Sequence, residues 1–290
     1  GAEIRVLGES VEGRPIRAVR VPRDDGTASP DARVLLSANI HGIEWIGTYT
    51  TLGFLTALRK PRPELRRLRE RAEIWVVPSI NPDGYARTWA QQGVGKLSAL
   101  RANAHGVDLN RNYPLPAPQP RFAYLAGGFA AGSTDPSSAF FKGTHPLSEP
   151  ETAAMDRLFD SVPLRASVNL HSFMGTLLSA HVDRKDHFRG YKRLCGALRQ
   201  SQRLRKYRWL ASRTFDWYLG EQEDHQHHAY QTWATCLEHF PVLDSAKQHL
   251  RAPSLFWRFN PREPRYYLEN DIPGIVAYFH AALDMGPPAP

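Results

Sequence analysis

Two short segments, His41-Gly42-Ile43-Glu44 and Asn169-Leu170-His171-Ser172, constrain the fold of this chain more than any others. Each follows a strand-like run. Residues 32–40 read as a buried strand entering a turn, and residues 164–172 as a second strand. Strand ends that bring polar residues to one edge of a sheet are where an open α/β fold carries its site. The residue types are two imidazoles and a carboxylate. Those are the three protein ligands of a hydrolytic zinc site that leaves a fourth position for water. His41, Glu44 and His171 are therefore the expected metal ligands. The spacing alone is only moderately specific, because a lone His-x-x-Glu is more often an ordinary turn.

The rest of the pattern agrees with such a sheet. Further strand-like runs occupy residues 3–7, 16–21, 73–80, 176–182 and 232–239. Helical patterns occupy 45–58, 63–71, 148–161, 188–203 and 273–285. Ser148 and Glu151 have the spacing of a capping box ahead of an apolar run. The alternation predicts an α/β fold: a single domain over residues 1–290, with a mixed, largely parallel central sheet and helices on both faces. Residues 114–147, rich in Pro, Gly, Ala and Ser, read as a long functional loop. Residues 220–232 read as a polar, His-rich excursion. His225, His227 and His228 within it suggest either a second metal site or a solvated loop, and the loop is the expectation.

Composition narrows the function classes. No run of 18 apolar residues occurs, so no membrane partner is expected. No signal peptide is legible, which favours a cytoplasmic location; the chain opens on Gly1 rather than Met, as a trimmed or mature form would. Two cysteines, Cys195 and Cys236, make neither a disulfide framework nor a zinc–thiolate site. Both read as buried side chains, with a single bond between them the lesser alternative. The net charge is +8, and the 37 basic residues are mostly Arg. No nucleic-acid motif accompanies that charge, so no nucleic-acid partner is expected. The densest basic stretch, Arg59 to Arg71, reads as an exposed face.

A third segment carries the identification. Residues 101–114 read Arg-Ala-Asn-Ala-His-Gly-Val-Asp-Leu-Asn-Arg-Asn-Tyr-Pro, and Asn81-Pro82-Asp83-Gly84-Tyr85 stands upstream. With Gly8 to Ile16, Ser148 to Thr152 and the neighbourhood of Glu238, these motifs resemble the M14 zinc carboxypeptidase family, in order and spacing, over most of the chain. The segment from Arg101 to Asn110 is most similar to the bacterial branch that includes murein tripeptide amidases.

The resemblance implies roles. One Zn2+ per chain is held by His41, Glu44 and His171. Asp108 accepts the free ring N–H of His41 and fixes its tautomer. Glu238, at the end of an apolar strand, takes the proton of the attacking water and passes it to the leaving amine. Arg101 stabilises the oxyanion. Asn110 and Arg111 clamp the substrate's terminal carboxylate, for which a planar guanidinium is suited. A tyrosine closes over the substrate, with Tyr218 and Tyr230 both in the right stretch. The specificity pocket is lined by the stretch holding Glu221, Glu223 and Asp224; an acid facing that pocket favours a cationic side chain, whereas a solvated loop tip is the plainer reading. A cis Ser172–Phe173 bond is also implied. The expected partner is a peptide or a peptidoglycan-derived peptide, and the expected activity is hydrolysis beside a residue with a free carboxylate. The alternatives are a deacylase of the aspartoacylase and succinylglutamate desuccinylase type, and a catalytically inactive binding module.

Overall fold

The structure, a computed structural model, describes residues 1–27, 32–117, 131–210, 218–240 and 250–289. Its described strands are β1 (Glu3–Glu9), β2 (Pro15–Val21), β3 (Arg33–Ala38), β4 (Glu73–Val77), β5 (Ala166–Ser172), β6 (Thr176–Ser179), β7 (Arg208–Leu210) and β8 (Trp233–His239). They form one sheet in the order β1-β2-β4-β3-β5-β8-β6-β7. The centre is parallel: β4, β3, β5 and β8 run the same way, while β2 on one side and β6 on the other are antiparallel to their inner neighbours.

Every residue of β4 and β5 is buried. Strands covered on both faces need apolar residues in both alternating sets. Val34 and Leu36 of β3 point to one cluster and Leu35 to the other. On the first face lie α1 (Trp45–Leu58) and α2 (Pro63–Arg71), joined there by two helices from the second half of the chain. In sequence, α3 (Pro82–Ala90), α4 (Leu97–Arg101) and α5 (Pro150–Ser161) come next, and α5 covers the second face with Met155, Leu158 and Phe159. The remaining helices among the described residues are α6 (Lys185–Ser201), α7 (Gln222–Tyr230), the single turn α8 (Phe256–Phe259) and α9 (Pro264–Leu283). Of these, α6 and α9 complete the first face through Leu194, Leu198, Ile275 and Phe279.

Several expectations are corrected. The excursion at 220–232 is not a solvated loop, and among the described residues His225, His227 and His228 do not gather as a metal site. The excursion is α7, and its residues 222–227 are all buried. Polar side chains sit there because they are paired: Asp224 with His181 at 2.9 Å, His225 with Asp156 at 2.6 Å, and His227 with the Tyr191 hydroxyl at 2.9 Å. The last long helix starts nine residues before the predicted 273, because Pro273 lies inside it rather than at its first turn. The capping box does not form. Glu149 is the N-cap of α5, and Glu151 instead accepts from Asn103 and from the Val11 N–H. Cys195 and Cys236 are both buried and not joined to each other. Part of the predicted loop 114–147 lies outside the described residues. The basic face at Arg59–Arg67 is exposed as expected, whereas Arg69 and Arg71 pair with Asp24 and Asp284.

Candidate functional site

The carboxyl ends of β3, β5 and β8 meet at one edge of the sheet. At the end of β3 the backbone turns sharply through Asn39, which adopts a left-handed φ of 57°, and the Asn39 amide donates to the His41 carbonyl at 2.9 Å. Gly42 then passes so close to α3 that a Cβ on it would lie 2.5 Å from the Gly84 carbonyl carbon. That contact explains the glycine in the first segment. It also ties the His41 turn to Asn81-Pro82-Asp83-Gly84, where Asn81 caps α3 by accepting from the Gly84 N–H at 2.8 Å.

The turn delivers His41 and Glu44, and β5 delivers His171. All three are buried, with ligand atoms within 4.8 Å of one another. One Glu44 oxygen lies 2.9 Å from His41 Nδ1 and the other 3.2 Å from His171 Nδ1. The second oxygen also accepts the Ser172 N–H. His41 Nε2 lies 3.2 Å from Asp108 Oδ1. With its Nε2–H donated to Asp108, a neutral His41 turns the lone pair of Nδ1 toward a carboxylate. A cation between Nδ1 and the carboxylate makes that arrangement favourable, so the donor set fits a divalent metal such as zinc. The Ser172–Phe173 bond is cis.

Asp108 is the hub behind this cluster. Its side chain is fully buried and accepts from His41, from the Asn110 N–H at 3.1 Å and from Arg101 Nε at 2.9 Å. Burial works against its charge, but Arg101 and the His41 hydrogen bond outweigh that and hold its carboxyl well below the usual range. Arg101, at the end of α4, has its guanidinium 5.4 Å from the Phe140 ring centre.

Glu238 follows from strand register, because β8 pairs Glu238 with His171 of β5. Its side chain keeps some exposure, and one oxygen lies 3.4 Å from the Met174 N–H. Burial and the nearby Glu44 carboxylate push Glu238 well above the ordinary carboxyl range.

Asn110 and Arg111 lie on a short 3-10 turn that begins at Asp108. Arg111 is buried, the Tyr218 ring centre is 4.3 Å from its guanidinium carbon, and its Nη1 donates to Glu221 at 3.0 Å. Of the two tyrosines, Tyr218 is thus at the site. Tyr230 is not brought to it: its hydroxyl donates to Asp156 at 2.7 Å and its ring packs on Phe159 and His225. Glu223 lies beneath His171. One of its oxygens accepts from Asn169 at 2.7 Å, and Oε2 has no hydrogen-bond partner. Burial, then the Glu221 charge, push its pKa up to about 8. Asp224 faces the other way, toward His181. Cys236 joins His171 and Glu223 in a second close group of metal-capable side chains. Sequence reading missed that group, although the alternation of β8 puts Cys236 and Glu238 on one face.

Comparison with known proteins gives the family and the fold. A family model described as zinc carboxypeptidase matches residues 2–236. The metallocarboxypeptidase A-like protein of Trichophyton verrucosum is 29% identical over 178 residues, 59% of this chain and 40% of that protein. Carboxypeptidase A4 of Mus musculus is 27% identical over 179 residues, with the same coverage of each chain. The chain thus spans about 40% of the length of these curated relatives. Among solved structures, thrombin activatable fibrinolysis inhibitor has a TM-score of 0.74 at 19% identity, over 98% of this chain and 69% of its own. At that identity it shows a shared fold.

Proposed function

The chain belongs to the zinc carboxypeptidase family, and from that membership we propose that it is a metallocarboxypeptidase hydrolysing the peptide or amide bond next to a residue with a free carboxylate. One observation carries the reading. A single sheet edge holds the His41–Glu44–His171 cluster, Glu238 in register beside His171, and the Asn110–Arg111 pair anchored through Asp108. Residues 1–290 are read as one catalytic domain.

His41, Glu44 and His171 would hold one zinc ion. Zinc supplies the positive charge and Lewis acidity that favour attack of water on a carbonyl carbon. Glu238 takes a proton from that water and delivers it to the leaving nitrogen, so the acid and the amine part neutral in sum. The Arg101 guanidinium faces the oxygen on which negative charge develops, and Asp108 fixes its direction. Arg111 and Asn110 orient the substrate by its terminal carboxylate, and Tyr218 covers that end.

Substrate class follows from the buried acid beneath His171. Glu223, with one oxygen unpartnered and a pKa raised to about 8, gives up its proton opposite a cationic group and so favours one at the end of the terminal side chain, as in Lys, Arg or the amino group of diaminopimelate. A peptidoglycan-derived peptide is one such substrate. Of the described residues, no helix is long and apolar enough to cross a membrane.

The test is release of the terminal residue from peptides that differ only in that residue, each with a free or amidated end. Release from free-ended peptides, fastest for cationic termini, supports the reading. Equal cleavage of amidated peptides refutes the carboxylate clamp, and preference for Glu or Phe termini refutes the role of Glu223.

A further inference from the structure

The clamp read as the seat of a substrate carboxylate already holds one. Glu221 Oε1 accepts from Arg111 Nη1 at 3.0 Å and lies 3.5 Å from Asn110 Nδ2, the two side chains assigned to the substrate. This is not a surface acid that has wandered in. The Gly220 carbonyl accepts from the Tyr113 N–H at 3.1 Å, and the Gln222 N–H donates to Asn110 Oδ1 at 3.0 Å. Gly220 has a φ of +77° and lies so near Arg111 that a Cβ would be 2.9 Å from the Arg111 carbonyl oxygen. Backbone on both sides of Glu221 is therefore fixed to the segment carrying the clamp, and the carboxylate is aimed at it.

We infer that Glu221 is an internal ligand of the Arg111–Asn110 clamp, which the terminal carboxylate of a substrate displaces and which returns when the product leaves. The inference rests on the clamp reading given above. Two features separate it from a permanent structural pair. Glu221 keeps 13% of its side-chain surface exposed while Arg111 keeps 3%, so the acid has a side open to solvent that the cation lacks. Arg111 also retains an Nε–H with no hydrogen-bond partner, a second donor for an incoming carboxylate. A clamp that is open only part of the time lowers the apparent affinity for any carboxylate by the fraction open. It also speeds product departure, because the buried guanidinium is never left without a counter-ion.

The test uses hippurate, a small carboxylate, and hippuramide, its neutral counterpart, titrated calorimetrically into the zinc-loaded protein. Glu221→Gln is expected to bind hippurate about tenfold more tightly than wild type, as for a clamp open about a tenth of the time. Hippuramide binding should not change. Arg111→Ala should abolish the preference for hippurate, and adding Glu221→Gln to it should change nothing further. Hippurate binding to Glu221→Gln that is no tighter than wild type, while Arg111→Ala still loses it, overturns the internal-ligand role and leaves the clamp intact. Unaltered hippurate binding by Arg111→Ala overturns the clamp reading itself. Should Glu221→Gln melt early, Glu221→Ser, which keeps the backbone contacts of Gly220 and Gln222, gives the same readout.

Discussion

Replacing Asp108 by Asn tests how the site is held together. The carboxylate serves three donors: His41 Nε2 and the Asn110 N–H on Oδ1, and Arg101 Nε on Oδ2. An Asn side chain offers one oxygen and one NH2. Whichever way it turns, a donor faces either Arg101 or the pair formed by His41 and Asn110. If Arg101 loses its hydrogen-bond partner, a largely buried guanidinium keeps only the Glu44 and Glu238 charges near it, and breaking such a pair costs up to about 3–5 kcal/mol. If His41 loses its acceptor, its tautomer is no longer fixed, and metal affinity falls about 10–100-fold. Asp108→Asn should therefore lower the urea midpoint, weaken zinc binding, or do both. Urea unfolding with and without metal, and competition against a chromophoric chelator, separate the two. Wild-type stability together with zinc affinity within about twofold of wild type would refute the hub role, since neither donor set can be lost at so small a cost.

Three further outcomes follow from particular contacts. Arg111→Ala should weaken free-ended peptides far more than amidated ones, by about 2–3 kcal/mol for a charge-assisted contact, read as a ratio of kcat/KM values. Gly42→Ala should destabilise the fold by about 1–3 kcal/mol and loosen zinc, because the new Cβ meets Gly84 backbone; unchanged melting and zinc affinity would mean the His41 turn has slack. His227, buried beside His228 and His187, has its pKa pushed down to about 3. The fold thus keeps it neutral while the unfolded chain binds a proton below about pH 6.5. Stability present above that pH should be lost on acidification toward pH 3, by about 1.4 kcal/mol per unit for this one group. His227→Gln should flatten the slope, and an unaltered slope would assign the loss to other groups.

Much of this was legible in the sequence where periodicity and burial act together. The predicted helix at 45–58 coincides with α1, and the strand at 232–239 begins one residue before β8. His41, Glu44 and His171 converge because the ends of β3 and β5, paired in parallel, are adjacent in the sheet. What escaped was polar structure without periodicity. The apolar pattern of α7 is too weak to mark a helix, and it is buried through hydrogen bonds to distant residues such as His181 and Asp156. The contact between Glu221 and Arg111 spans 110 positions and depends on the Gly220 turn against Arg111, which no local signal encodes. The start of α9 was hidden because Pro273 reads as a helix beginning when its N–H is missing from the interior of a longer one.

Turnover of Glu238→Gln, with zinc content determined on the same sample, separates the proton acceptor from the metal. The substitution keeps the shape at the β8 position in register with His171 and removes the proton acceptor. One equivalent of zinc should be retained, free-ended peptide should still bind, and kcat should fall by about 10²-fold or more. Wild-type turnover by Glu238→Gln with zinc in place would show that Glu238 is not the proton acceptor.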